Sequence, residues 1–193
     1  MNGAAKAFMK RCAWTLLIIF SIRCAVSWGE ICVDFSLYLL FGFAGEAISV
    51  TAILGAIYEK ILWKYDSFLK WPVLYGTYEG VIKPNCDNRE RKIDVQVKQT
   101  LFSVHVILKS EESKSKAFTA DINERDGEYI LCYSYLNRPN AEVRDRSEIH
   151  YGTAILSISD KSHRLEGEYY TDRKTTGDMM LWAIEKSKTK RNN

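Results

Sequence analysis

Residues 35–58 read FSLYLLFGFAGEAISVTAILGAIY, a run of 24 residues with one charge, Glu46, at its middle. Wound as a helix rising about 1.5 Å per residue, the run reaches roughly 36 Å, enough to cross a hydrocarbon core of about 30 Å with some tilt. A soluble core helix of this length would carry a polar stripe. This one carries none, so it reads as a membrane span. The residues before it deliver the chain to the membrane, and the residues after it hang from the membrane.

Small residues in the span are regularly placed. Gly42, Gly45, Ser49, Ala52 and Ala56 follow at intervals of 3, 4, 3 and 4, which puts them on one helical face. Helices in lipid associate through close backbone approach at small residues, because the hydrophobic effect gives them little. The stripe is a seam either for self-association or for the other span of the same chain. Glu46 lies beside it. A carboxyl group at the bilayer centre is protonated, paired or lining a wet path, and its presence points to a membrane-active assembly.

Upstream, residues 1–11 hold Lys6, Lys10 and Arg11 and no acid, and residues 12–28 form a first apolar run broken by Arg23. Residues 29–34 read as a tight loop with Glu30 and Asp34, and Lys60, Lys64 and Lys70 come after the second span. The positive-inside rule then places the N-terminus and everything past residue 59 in the cytoplasm. Arg23 would lie near the outer end of its helix, where it can snorkel or reach towards Glu46. A cleaved signal peptide is the rival reading, since Ala25-Val26-Ser27 resembles a small-x-small cleavage site. Residues 59–71, EKILWKYDSFLKW, read as a helical exit segment with interfacial Trp63 and Trp71, ended by Pro72.

The chain has 193 residues, 47% of them hydrophobic, and the apolar content is concentrated at the front. The layout is a two-span anchor with its exit helix over 1–72, a β domain over 73–186, and a tail over 187–193 whose composition reads as disordered. A net charge of +3 is too small to argue for a nucleic-acid polymer as partner. Cys12, Cys24, Cys32, Cys86 and Cys132 form no CxxC pair and no metal spacing, which fits a reduced compartment.

From Val73 the pattern turns to period two, rich in β-branched and aromatic residues. Candidate strands cover 73–82, 92–100, 102–109, 116–123, 128–136, 149–158, 164–172 and 178–186, most of them separated by turn signals such as Asp126-Gly127 and Thr176-Gly177. Short antiparallel strands in this length fit a small eight-stranded up-and-down barrel or a flattened sandwich. An eight-stranded barrel has room inside for side chains and one small ligand. The fold expected is a membrane-anchored all-β protein: an N-terminal two-helix transmembrane hairpin, then a small antiparallel β-barrel.

Alternation assigns the faces. Arg164, Glu166, Glu168, Tyr170 and Asp172 share the outer face of the seventh strand. Leu165, Gly167, Tyr169, Thr171 and Arg173 then share the inner one. An interior arginine needs an anion, so Arg173 meets either a phosphate ligand or an acid of the chain. His150, Gly152, Ala154 and Leu156 share the inner face of the sixth strand, and Tyr78 and Gly80 that of the first. A lone inward histidine is more often a satisfied core residue than a ligand group. Inward tyrosines suit base stacking and are also ordinary core. No GxSxG, Walker, GxGxxG or HExxH motif occurs, and the three histidines are scattered. The soluble part reads as a binding module rather than an enzyme, with neither cofactor nor metal.

Two spans followed by an eight-stranded domain, with LYGTYEG at 74–80, YSYLNRP at 133–139, HYGTAIL at 150–156 and LEGEYYTDRKTTGDMML at 165–181, resemble the two-transmembrane β-strand-rich effectors of CBASS anti-phage systems. The resemblance covers nearly the whole chain. It implies a cytoplasmic barrel that senses a cyclic dinucleotide made by a partner nucleotidyltransferase. It also implies ligand-promoted oligomerisation, disruption of the bacterial inner membrane by the spans, and death of the infected cell. Such a ligand asks for cations and hydroxyls at its phosphates, and for aromatic faces and amides at its bases. Matching motif to inferred facing puts Arg173, Thr171 and Thr175 near phosphate. Tyr78, Tyr135, Asn137 and Tyr169 fall around the bases, with His150 as an outlying candidate. The other readings are a membrane-anchored lipid- or metabolite-binding barrel, and an adaptor whose barrel is filled by its own side chains.

Overall fold

The computed structural model describes residues 3–33, 37–87 and 89–184. They fall into two compact units, one of residues 1–71 with 100–102, the other of residues 72–99 with 103–193.

The first unit holds helices α1 (Gly3–Val26), α2 (Trp28–Val33) and α3 (Leu37–Lys60). Among the described residues, α3 is the one helix long and apolar enough to cross a membrane. α1 has the length, but Lys6, Lys10, Arg11 and Arg23 interrupt it. The two run antiparallel, with the Phe8 ring 6.1 Å from that of Tyr58 at one end and Arg23 bound to Glu46 nearer the other. α3 buries Phe43, Ala47, Thr51 and Gly55, spaced by four. A Cβ on Gly55 would touch the Phe8 ring at 3.4 Å, so this is the face that takes α1. Gly42, Gly45, Ser49, Ala52 and Ala56 lie on another face and stay exposed in this unit. The Ser49 hydroxyl turns back to donate to the Gly45 carbonyl at 2.8 Å. Arg23 Nε reaches Glu46 Oε2 at 2.9 Å, its guanidinium lies 4.5 Å from the Phe43 ring centre, and it also donates to Ser27 Oγ.

Two expectations about this unit need correction. Trp28–Val33 is helical rather than a loop; residues 34–36, which include the start of the 35–58 run, lie outside the described residues, as does the tail. The exit segment is not a helix: α3 stops at Lys60 and only a 3₁₀ turn, Leu62–Tyr65, comes next. Asp66 explains the break. Its carboxylate accepts from the Tyr58 hydroxyl at 2.5 Å and from the Phe68 N–H at 3.0 Å, and pairs with Arg11 at 2.5 Å. These bonds fold the chain back where a helix would carry it onward.

The second unit is a closed barrel of β1 (Thr77–Pro84), β2 (Arg91–Gln99), β3 (Val104–Lys109), β4 (Ser113–Arg125), β5 (Glu128–Pro139), β6 (His150–Ser159), β7 (Arg164–Thr171) and β8 (Thr176–Ala183). Each strand pairs antiparallel with the next and β8 closes on β1, the up-and-down order expected from the turn signals. Asp126 and Gly127 both take positive φ, 54° and 84°, as a two-residue hairpin turn of the primed kind requires. Inward positions alternate with outward ones. Val95, Ile122, Leu131, Leu156, Leu165 and Leu181 are almost fully buried and fill the end of the barrel where β1 begins.

Gly80 lets neighbouring strands close tightly. A Cβ there would sit 2.0 Å from the Met180 carbonyl oxygen. Gly80→Ala is therefore expected to destabilise the barrel by about 1–3 kcal/mol, the usual range for overpacking. Chemical denaturation measures this, and an unchanged midpoint would contradict so close an approach.

Candidate functional site

The other end of the barrel, where β1 and β7 finish and β6 and β8 start, is open. It holds a cavity of about 630 Å³, within the range of small-ligand sites. Its apolar floor includes Ile82, Leu108 and Met179. Tyr133 lies beneath, its hydroxyl 3.5 Å from Met179 Sδ.

Two tyrosines stand above this floor, each across from a glycine. Tyr135 faces Gly152 across β5–β6, and Tyr169 faces Gly177 across β7–β8. A Cβ on Gly152 would come within 2.5 Å of the Tyr135 ring, and one on Gly177 within 2.9 Å of the Tyr169 ring. Glycine thus lets each ring lie back against the wall and leaves the cavity open. Burial holds both phenols above their ordinary value, Tyr169 at about 12, so both are neutral donors near pH 7.

The rim is polar. Asn137 and His150 face each other across β5–β6. His150 Nδ1 lies 2.9 Å from the Glu148 carbonyl, which can only accept; in the neutral ring that puts the proton on Nδ1 and leaves Nε2 as an acceptor. The Asn137 Oδ1 atom is buried without a hydrogen-bond partner, a state a ligand can relieve. The 171–175 turn is fastened by Thr171 N–H to Thr175 O at 2.9 Å and by a 2.6 Å contact between the two hydroxyls. From that turn Arg173 donates to Ser147 Oγ at 3.3 Å, and among the described residues it joins no ion pair. Among the described residues, no acid of the chain pairs with Arg173.

Seven of the expected site residues line this one cavity: Tyr135, Asn137, His150, Tyr169, Thr171, Arg173 and Thr175. Tyr78 does not. It faces inward as expected but at the closed end, where its hydroxyl donates to the Ser162 carbonyl at 2.8 Å and accepts from the Tyr75 N–H. It is a structural tyrosine, because strand alternation gives the face of a residue but not its height in the barrel. Sequence reading missed Arg91 and Arg146. Arg91 could have been found, since the alternation that turns Ile93, Val95 and Val97 inward extends to it once β2 is started one residue earlier. Arg146 comes from the β5–β6 connection, where no periodicity applies. Both cations are held by acids, Arg91 by Asp87 at 2.5 Å and Arg146 by Glu112. The Arg91 hydrogen bond holds the Asp87 carboxyl below the usual carboxylate range.

The open end thus offers three guanidinium groups, paired threonine hydroxyls, an unsatisfied amide and two flat rings in one small-molecule volume. Residues 69–182 match the family model described as Cap15, cyclic dinucleotide receptor domain. The chain belongs to this family. The Cap15 match takes in all eight strands except the last residue of β8. The chain is also 30% identical over 192 residues to CD-NTase-associated protein 15 of Staphylococcus schleiferi, an alignment covering 96% of this chain and 100% of that protein. The Cap15 domain carries its own titration signature. Burial raises Tyr78 to about 12 and also raises Tyr133, Tyr135 and Tyr169. A folded-state value above the unfolded one, near 10, means that stability is fully present below about pH 10 and falls as pH rises towards 12. Denaturation midpoints should be level with respect to these groups from about pH 8 to about pH 9.5 and drop steeply above about pH 10.5. A level profile to about pH 12 would contradict the burial of these phenols.

Proposed function

We propose that this chain is an anti-phage effector whose barrel is a receptor, not a catalyst, for a cyclic dinucleotide. The observation that carries the reading is the open-end cavity. Arg173, with Arg91 and Arg146, meets the two phosphates, and the threonine hydroxyls add donors. Tyr135 and Tyr169 offer faces to the bases, and Asn137 and His150 read their edges. The name of the staphylococcal relative supports a nucleotidyltransferase as the source of the messenger. In this reading the chain sits in the bacterial inner membrane as a two-pass hairpin, with the N-terminus and barrel cytoplasmic; the apolar length of α3 and the antiparallel packing of α1 on it support this. Ligand binding promotes self-association along Gly42, Gly45, Ser49, Ala52 and Ala56, beside Glu46, and the assembled helices breach the membrane. The exposure of that stripe while α1 occupies a different face of α3 supports an intermolecular seam. A cavity rimmed by charged side chains, Glu90, Glu111 and Glu112 among them beside the cations, does not favour an apolar lipid, and an open one does not favour a barrel filled by its own side chains.

Dye-loaded vesicles carrying the full chain test the reading. Addition of the bound cyclic dinucleotide is expected to release dye, and Gly45→Leu with Ala52→Leu to prevent release while binding persists. Binding without release would remove the membrane-breaching step.

A further inference from the structure

The outer wall of the barrel carries two rows of like charge. Lys109, Lys114 and Arg138 stand opposite one another across β3, β4 and β5, and all are exposed. Glu168 and Asp178 stand opposite one another across β7 and β8, also exposed. Like charges directly across a sheet destabilise it. Among the described residues none of the five joins an ion pair, although Lys83 on β1 stands opposite Asp178 and Asp94 on β2 stands opposite Lys109.

The basic row borders a groove of about 720 Å³ with Leu136, Phe118 and Tyr151 in its lining. Phe118 is the extra residue of a β-bulge between Ala117 and Thr119, which turns it outward until 62% of it is exposed. It meets Tyr151 edge-on at 6.1 Å. Two aromatics left in water beside three cations mark an interaction surface. The acidic row has an apolar border of its own, the exposed Ile155 and Tyr170. Cations dominate the first face, where Lys114, Lys116 and Arg138 line the groove, and the Glu168–Asp178 pair gives the second its negative charge.

We infer that these faces are the two halves of a head-to-tail contact between copies of this chain, with the groove and basic row of one barrel receiving the acidic β7–β8 face of the next. Groove-to-groove pairing is excluded because it would bring together three cations from each copy. A contact between two different faces leaves one face unused at each end, so it closes a ring or continues as a filament. The inference rests on the reading that binding promotes association and names the barrel surface that carries it.

None of the charged residues involved lines the open-end cavity, so binding and assembly can be separated. The full chain in detergent is followed by sedimentation velocity and by calorimetry, with and without cyclic di-AMP, cyclic di-GMP, cyclic GMP–AMP and cyclic UMP–AMP. Lys114→Glu with Arg138→Glu, and Glu168→Lys with Asp178→Lys, are each expected to need at least tenfold more protein to assemble, while affinity for the bound nucleotide stays within twofold. Mixed in equal amounts, the two variants should assemble at close to the wild-type concentration, because the reversed groove of one fits the reversed face of the other. Variants that assemble normally alone, or a mixture that stays dissociated, would overturn the inference and leave the receptor reading standing. A wild-type chain that binds nucleotide and stays monomeric would remove promoted association and this surface together. If no nucleotide binds, the same variants judge the surface on assembly without ligand.

Discussion

Arg173→Ala is expected to weaken cyclic dinucleotide binding by about 10- to 100-fold with no loss of melting temperature. The size comes from the worth of a hydrogen bond to a charged group, about 1.5–3 kcal/mol, at about 1.4 kcal/mol per tenfold. The selectivity comes from the geometry. Arg173 is exposed on a turn that Thr171 and Thr175 fasten through their own backbone and hydroxyls, and among the described residues it bonds Ser147 Oγ at 3.3 Å and joins no ion pair. Arg91 and Arg146 each have an acid to leave before they reach a phosphate, so their replacement should cost less affinity than that of Arg173. Calorimetry on the three single variants orders them. A smaller effect at Arg173 than at Arg91 would move the phosphate position across the cavity.

The second large effect belongs to the helices. In a bilayer, Arg23→Ala leaves the Glu46 carboxylate without the guanidinium 2.9 Å away. Removing one member of an ion pair shielded from water typically destabilises by about 3–5 kcal/mol, whereas an exposed pair in water is worth about 0–1 kcal/mol. The expected outcome is therefore a large loss of thermal stability for the full chain in vesicles, largely restored in the Arg23→Ala/Glu46→Gln double variant. A small loss would mean that water reaches the pair, and would count against a lipid-embedded hairpin.

The barrel is legible in the sequence because period-two alternation and turn residues are local signals. Asp126-Gly127 falls between β4 and β5 as expected, whereas Thr176-Gly177 opens β8 and the turn lies just before it, at residues 172–175; the inner face of β7 agrees residue for residue at Leu165, Tyr169 and Thr171. Height within the barrel is not legible, which is why alternation groups Tyr78 with Tyr135 although the two lie at opposite ends. Height depends on strand stagger around the closed sheet, which no single strand encodes. Partners held by loops are also hidden, as with Arg146 and Glu112. In the helices, one apolar run reads correctly as one helix. The stop at Lys60 does not, because it is made by Asp66 gathering Tyr58, Arg11 and the Phe68 amide rather than by a helix-breaking residue. The spacing of the small residues does not say which face α1 takes. Phe43, Ala47, Thr51 and Gly55 answer that, and only the packing reveals them.

The most direct test of the receptor reading is calorimetric titration of the detergent-solubilised full chain with a panel of cyclic dinucleotides. Saturable binding of one molecule per barrel to at least one member, weakened at least tenfold in Arg173→Ala, is the predicted result. A folded chain that binds no member of the panel, or that binds one equally well without Arg173 and Arg91, would contradict it.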